Sequence, residues 1–323
     1  MSAKSRFEEF RLSLRPTINE LKFSLNRIRK SPLSTIGVTI IIFYVMIAIL
    51  APVIAPPINY ETGQVMTTWE WFRIPRDGYQ HIPSTPSPKH PLGTTEGQWD
   101  LYYGIVWGTI NAFRIGLFVV IISLAFGLTI GLIGGYFGGL IDEILMRFTD
   151  IILAFPGLIL AMAFAVILVP IGISNLDAVL YALILVGWPG YARLIRGEIL
   201  RVRSEDYVEA ARAVGCSGWR IMFRHILPNA IYPVIVIASL DIGSIVLTAA
   251  ALAFLGIGAP PDFADWGQII SRSRNWIMGI QGDPFHYWYV YIIPGIAISG
   301  FVLGWSLLGD AFRDILDPTL RRR

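Results

Sequence analysis

Between Ser31 and Tyr60 the chain carries no charged side chain, and five more long apolar stretches follow. This repetition constrains the fold more than any other feature. The stretches lie near Thr35–Ala55, Ile115–Leu140, Ile151–Val169, Leu176–Tyr191, Pro228–Gly258 and Tyr287–Gly309. Crossing the hydrocarbon core of a bilayer takes about 20 apolar residues in a helix. Backbone polar groups in lipid must be satisfied within the segment, so continuous apolar runs predict helices, whereas a barrel would alternate polar and apolar residues. The apolar character of the fifth run is interrupted by Asp241. The expected fold is an all-α polytopic membrane protein with six transmembrane helices.

Composition supports the class. Only 15% of the residues are charged, against roughly 25% in a soluble domain, and a net charge of +3 is too small to point to nucleic acid. The single cysteine, Cys216, excludes an intrachain disulfide. The four histidines, His81, His90, His225 and His286, lack the spacing of a metal site. The first apolar run is too long for a signal-peptide core of about 7–15 residues and is read as a retained span.

Charge sets the expected orientation. The first 33 residues hold eight Lys/Arg against three acids, and seven Arg lie between Arg193 and Arg224. Residues 56–110 hold three Lys/Arg and five acids, and 259–286 only Arg272 and Arg274. The positive-inside rule then puts both termini and the 193–228 loop in the cytoplasm. The chain divides into an amphipathic N-terminal segment (1–33), a first span (34–55), a large external loop (56–111), a core of five spans (112–309) and a cytoplasmic tail (310–323). The external aromatics, among them Trp69, Trp71, Trp99, Tyr102, Tyr103, Trp107, Trp266, Trp276 and Trp288, fit an interfacial belt or a surface for stacking a sugar or docking a partner.

One segment breaks the apolar pattern: EDYVEAARAVGCSGWRIMFRHILPN, residues 205–229. Ser204 is the expected N-cap, and Glu205 and Asp206 place negative charge at the positive end of a helix dipole. Gly215 stands where a left-handed residue would end the helix. Tyr207 and Ala211 share a face, Glu209 and Arg212 are spaced to pair, and the small Ala210-Ala211 pair permits close approach by a partner. A second helical piece, Ser217–His225, leads to Pro228 at the first turn of the fifth span. Such a piece could transmit displacement to that span, or simply be a solvated hairpin that sets topology.

Glu209-Ala210-Ala211, Gly215 and His225-Ile226-Leu227-Pro228 together resemble the EAA motif of ABC-importer permeases. FRHILPN (223–229), GGYFGGLIDEILMRFTDIILAFPGLILA (134–161), GWPGYARLIRGEIL (187–200), FLGIGAPPDFADWGQII (254–270) and LGDAFRDILDPTLR (308–321) are similar to the C-type permease of dipeptide, oligopeptide and nickel uptake systems. The resemblance covers nearly the whole chain from residue 30. One stretch departs from it: where the family commonly reads HPLGTDxxGRD, residues 90–100 read HPLGTTEGQWD, with Thr95, Gln98 and Trp99 replacing Asp, Gly and Arg.

The resemblance implies a type I ABC-importer permease fold with a cytoplasmic coupling helix. It also implies a machine of two permeases, two cytoplasmic ATP-binding subunits and an extracytoplasmic solute-binding protein. Glu205, Tyr207, Glu209, Ala210, Ala211, Arg212 and Gly215, within the coupling loop 197–228, would engage an ATPase subunit, and ATP and Mg would belong to that subunit. This agrees with the sequence: none of the four lysines ends a GxxxxGK[ST] loop. Peptide is the family's default cargo, with oligosaccharide and nickel as alternatives. Asp241, Ser244 and Thr248 fall on one face of the fifth span and form a candidate pathway stripe, or Asp241 makes a structural hydrogen bond to another helix. An ion-coupled secondary transporter would call for paired intramembrane ionisable residues and an internal repeat, and a membrane enzyme for converging catalytic groups; the sequence offers neither.

Overall fold

A computed structural model describes residues 31–316 apart from Trp69, Gln281, Gly282 and Pro284. The expected N-terminal amphipathic segment and the end of the tail lie mostly outside the described residues. The helices are α1 (Pro32–Ile54), α2 (Leu101–Phe137), α3 (Gly139–Leu153), α4 (Gly157–Leu168), α5 (Asn175–Arg203), α6 (Asp206–Ala213), α7 (Leu227–Phe254), α8 (Trp266–Ser273) and α9 (Tyr289–Leu316). A helical turn at Gly218–Arg220 and a π-helical segment at Ile221–Ile226 run straight into α7. Among the described residues β-structure is limited to isolated bridges.

Five helices are long and apolar enough to cross a bilayer, and the α3–α4 pair brings the number to six if it counts as one span. That pair stands where the third span, Ile151–Val169, was expected, and it begins at Gly139. Its two halves meet at 89°, because Pro156 lacks an amide donor and drives the preceding residue out of the helical region. Helix α7 runs on through Asp241, whose carboxylate accepts a 2.7 Å hydrogen bond from the Tyr191 hydroxyl on α5. The second span also begins earlier than expected. Asp100 caps α2 by accepting from the Tyr103 amide at 2.8 Å, so the helix starts ten residues or more inside the stretch read as loop.

Helices α2 and α5 form the central pair, with α7 against both. Their seam is built on Gly127, Gly131 and Gly135. A Cβ at Gly131 would lie 2.5 Å from the Ala192 carbonyl oxygen, and one at Gly127 or Gly135 would meet Tyr191 or Ile199 below 3.0 Å. Between lipid tails and apolar side chains there is no hydrophobic gain to drive helices together, so close backbone packing has to supply the attraction. Outside this pair α9 packs on α7, and α1 packs on α9, where the Tyr44 hydroxyl donates to the Ala297 carbonyl at 2.8 Å. The outward faces of α1 and α3 expose large apolar side chains such as Ile49 and Leu140.

The stretch between α1 and α2 is an ordered cap, and three of the aromatics read as external, two on α2 and one on α8, are neither a belt nor a stacking surface. Tyr103, Trp107 and Trp266 are buried. The Trp107 indole donates to the Ala55 carbonyl (2.9 Å), Tyr103 to Trp71 (2.7 Å) and Trp266 to Ile105 (3.0 Å). Each ring thereby satisfies its polar atom while burying its apolar body. Trp288 does remain exposed. Paired backbone bonds, Ile74 N–H to Asp262 (2.6 Å) and Ala264 N–H to Phe72 (2.7 Å), tie the cap to the loop before α8. At its centre His90 bridges Asp100 (2.6 Å) and Asp77 (3.3 Å). Hydrogen bonds from Lys89 and His90 hold the Asp77 carboxyl below its usual range.

The departure at residues 95–99 has a structural counterpart. Gln98, where the family has Gly, is the one non-glycine with positive φ (63°) among the described residues. Its buried amide accepts from Ser84 and Thr94 and donates to the Ile82 carbonyl, offsetting a left-handed backbone that costs about 1–2 kcal/mol. Trp99, in place of Arg, lies between the guanidiniums of Arg76 and Arg272, each 5.3 Å from the ring centre.

The α2–α5 seam gives a direct test. Gly131→Ala should lower the thermal unfolding temperature in detergent by several degrees, since overpacking costs about 1–3 kcal/mol. Gly197→Ala, at a position on α5 where an added Cβ meets nothing within 4 Å, should leave the temperature unchanged or raise it slightly.

Candidate functional site

The charged loop folds as a short helix anchored at both ends. Ser204 closes α5 by donating from its hydroxyl to the Arg201 carbonyl at 2.8 Å. This corrects its expected role as N-cap: the extended residue that opens α6 is Glu205 (φ −79°, ψ 143°), with no side-chain capping bond. The Glu205 carboxylate turns back to Arg201 at 3.8 Å. At the other end Gly215 takes φ +81°. Its amide donates to the Arg212 carbonyl (2.9 Å) and the Cys216 amide to the Ala211 carbonyl (3.1 Å). These two bonds make a Schellman cap, which needs a left-handed residue at this position.

Helix α6 is held from below by Val208 and Ala211, both buried in the main core with Ile221, Met222 and Ile226. Ala211 therefore faces inward, and of the expected small pair only Ala210 is exposed. Glu209 and Arg212 are exposed and do not pair: among the described residues neither has an ion-pair partner. Tyr207 is half-exposed, and partial burial followed by the nearby Glu205 charge raises its phenol above the ordinary value. The outward face thus presents Glu209, Ala210 and Arg212, with Tyr207 at its edge and Gly215 at its end.

Further exposed groups were missed from sequence. Val214 is 79% exposed and Trp219 68%, and the Trp219 ring stacks on Phe223 at 5.6 Å with planes 2° apart. Exposed aromatics one helical turn apart were the available signal.

Two attachments tie the loop to the bundle. The Arg203 guanidinium donates to the Tyr136 carbonyl (3.0 Å) and the Gly135 carbonyl (3.4 Å) at the C-terminal end of α2, where cations are favoured. The Tyr136 hydroxyl sits over Gly218, 2.9 Å from where a Cβ would be. The second attachment is covalent, through the π segment into α7. Pro228 has no amide, and its ring would press on the carbonyl four residues earlier in a regular helix. The wider π turn, in which the Leu227 amide reaches back to Met222, passes it without a break, and Asn229 donates to the His225 carbonyl at 2.7 Å.

Arg193 and Arg196 have structural work as well. Arg196 forms a bidentate pair with Asp142 on α3, and Arg193 reaches Asp150 at 2.6 Å. Of the candidate pathway residues, Asp241 is engaged by Tyr191, Ser244 is exposed, and the Thr248 hydroxyl donates to the Ser244 carbonyl at 2.8 Å.

These features define a polytopic helical membrane protein with an anchored, outward-facing helix on a charged loop. Residues 127–322 match the binding-protein-dependent transport system inner membrane component family, and residues 22–68 match the N-terminal TM domain of oligopeptide transport permease C. The dipeptide transport system permease protein DppC of Alkalihalophilus pseudofirmus is 38% identical over 298 residues, 92% of this chain and 90% of that protein. The probable D,D-dipeptide transport system permease protein DdpC of Escherichia coli K12 is 41% identical over 72% of this chain and 74% of its own. The glutathione transport system permease protein GsiD of Pectobacterium atrosepticum is 37% identical over 78% and 82%. The chain belongs to the binding-protein-dependent inner membrane transport components: it is a multi-pass permease of the ABC-importer class that works with other transporter components.

Arg203→Gln should loosen the loop without unfolding the bundle. The expected result is faster amide exchange across 204–217 and a lower unfolding temperature, since a hydrogen bond to a charged group contributes about 1.5–3 kcal/mol. Arg203→Lys should recover part of both.

Proposed function

We propose that this chain is the non-catalytic membrane subunit of an ATP-driven importer of short peptides. The observation that carries the reading is the geometry of α6: fixed by a Schellman cap and two buried residues, it turns the unpaired charges of Glu209 and Arg212 outward. A rigid, charged, solvent-facing helix is suited to seat in a groove on a partner subunit. In this reading the partner is one of two cytoplasmic ATP-binding subunits, which hold ATP and Mg. Closure of those subunits displaces α6, and the π segment and Arg203 pass the displacement to α7 and α2.

The remaining parts are a second permease, completing the pathway as a heterodimer, and a solute-binding protein that delivers cargo outside. The Arg-rich ends favour an orientation with both termini and α6 in the cytoplasm of a prokaryotic cell, and the cap outside. The relatives named for dipeptides, D,D-dipeptides and glutathione support peptide as the cargo, ahead of oligosaccharide or nickel. Ser244 and Thr248 are proposed to line the pathway, with Asp241 holding α7 to α5 beside it.

Glu209→Lys reverses an outward acid of α6, and Gly215→Trp strains its left-handed cap. Both variants should reach the membrane, retain the ATP-binding subunits weakly, and lose most peptide uptake while ATP hydrolysis continues uncoupled. Normal uptake by both would overturn the coupling role. For the pathway, Ser244→Cys and Thr248→Cys in a Cys216→Ser background should react with a membrane-impermeant thiol reagent in at least one transport state. Protection in every state would remove them from the pathway.

A further inference from the structure

Beneath the cap, where α5 begins, lies a cavity of about 500 Å³ lined by Arg73, Arg114, Asp177, Asp262, Leu176 and Phe263, among others. Its volume falls in the range of small-molecule sites, roughly 300–1,000 Å³. Each of its two walls carries one cation and one carboxylate. Arg73 and Asp262 belong to the cap side and stand 3.6 Å apart, and Arg114 of α2 and Asp177 of α5 stand 3.5 Å apart.

Both pairs are loose. Each guanidinium has five donors, yet among the described residues each side chain makes one long contact to a carboxylate. The arginine side chains are 62% and 48% exposed. Half-exposed pairs of this length contribute little to stability. The contrast is Arg196–Asp142, bidentate at 2.5 and 2.6 Å and largely buried. The cavity therefore keeps unspent guanidinium donors next to two carboxylates, of which Asp177 also accepts from the Ser174 hydroxyl at 2.7 Å and retains lone pairs for a further donor, beside the apolar surfaces of Leu176 and Phe263.

We propose that this cavity binds short zwitterionic peptides, with the α-carboxylate on Arg114 and the α-ammonium group on Asp177. The proposal rests on the peptide-import reading and adds a site on the permease itself. Equal numbers of both charges favour neither a simple anion nor a simple cation, and they suit a ligand with one of each. Arg is matched to a carboxylate because its fork of donors can engage both oxygens. A neutral sugar would want free aromatic faces, but Phe263 is stacked on Phe72 at 5.6 Å. The position, between the cap and the start of the spans, suits a holding point on the way from delivery to translocation.

The test is equilibrium binding of labelled L-alanyl-L-alanine to the complete transporter in lipid nanodiscs, without binding protein. Wild type should bind it saturably, and N-acetyl-alanylalanine and alanylalanine amide should compete about tenfold or more less well. Arg114→Gln should raise the Kd of alanylalanine about tenfold while leaving that of the amide unchanged, and Asp177→Asn should do the same with the N-acetyl derivative as its insensitive ligand. This cross-pattern separates a lost contact from a damaged fold, and the blocked ligands test the wild-type protein without any variant. Absence of saturable binding, or equal binding of blocked and free dipeptide, would overturn the site. So would an Arg114→Gln protein that binds alanylalanine normally but responds less to the binding protein, which would make the patch a docking surface. ATP-driven uptake of alanylalanine and trialanine by wild type separates the two levels. Uptake that persists alongside any of these failures removes the site and leaves the importer reading; no peptide uptake removes that reading.

Discussion

The close approach of α2 to α5 along Gly127, Gly131 and Gly135 is the contact on which the remaining geometry depends. At Gly131 the backbones come near enough that a methyl group would lie 2.5 Å from the Ala192 carbonyl oxygen. In a bilayer, burying apolar side chains against one another gains little over burying them in lipid, so the attraction comes from dispersion between closely apposed backbones. The register set there carries outward. It puts Arg203 at the end of α5 beside the last carbonyls of α2, and Arg196, one turn from Ala192, opposite Asp142 of α3. The position of α6 follows, because Glu205, its first cap residue, is two residues beyond Arg203.

The same loop is both anchored and deliverable. Val208 and Ala211 bind α6 to the main core, the Schellman cap fixes its exit, and the π segment carries the chain into α7 without a joint. A π turn inside a long helix is a local widening of a kind frequent at functional sites, and here it keeps the chain helical from Gly218 into α7. Displacing α6 must therefore move the start of α7 and load the Arg203 clamp on α2, two helices that also meet each other. A free hairpin would dissipate the same push in its own bending.

Much of this was legible in the sequence, and what was not has identifiable reasons. Hydropathy located the spans because lipid imposes one requirement on every residue of a span. It read through Pro156, although a proline in mid-run is itself a bend signal. The glycines at 127, 131 and 135 are spaced as a helix interface of small residues, a pattern readable in advance. Ser204 has the side chain of an N-cap and Glu205 does not, but the capping position depends on where α5 ends, and α5 runs to Arg203 with Ser204 closing it. Burial of Trp107, Tyr103 and Trp266 was not legible, because their partners at Ala55, Trp71 and Ile105 are from 32 to 161 residues away. For Asp241 the sequence offered two environments, and the hydrogen bond from Tyr191, 50 residues away, was invisible to periodicity.

Two kinds of physics meet at the boundary between bundle and cap. Inside the bundle small residues and satisfied backbones hold the helices, and the Asp241 carboxylate is given a partner by Tyr191. In the cap water returns and with it the hydrophobic effect, so large aromatics with anchored polar atoms replace glycines as the packing units. A cap held by many dispersed contacts can absorb a local departure: Gln98 keeps a left-handed backbone because its amide makes three hydrogen bonds. A seam of three glycines has no comparable reserve. Charge divides in the same way. Arg196–Asp142 is short, bidentate and sheltered, as a structural clamp must be, while Arg73–Asp262 and Arg114–Asp177 are long and open to the cavity between cap and bundle. Pairs that hold the fold have used their hydrogen-bonding capacity, and pairs that retain it are the ones free to exchange a partner for a passing ligand.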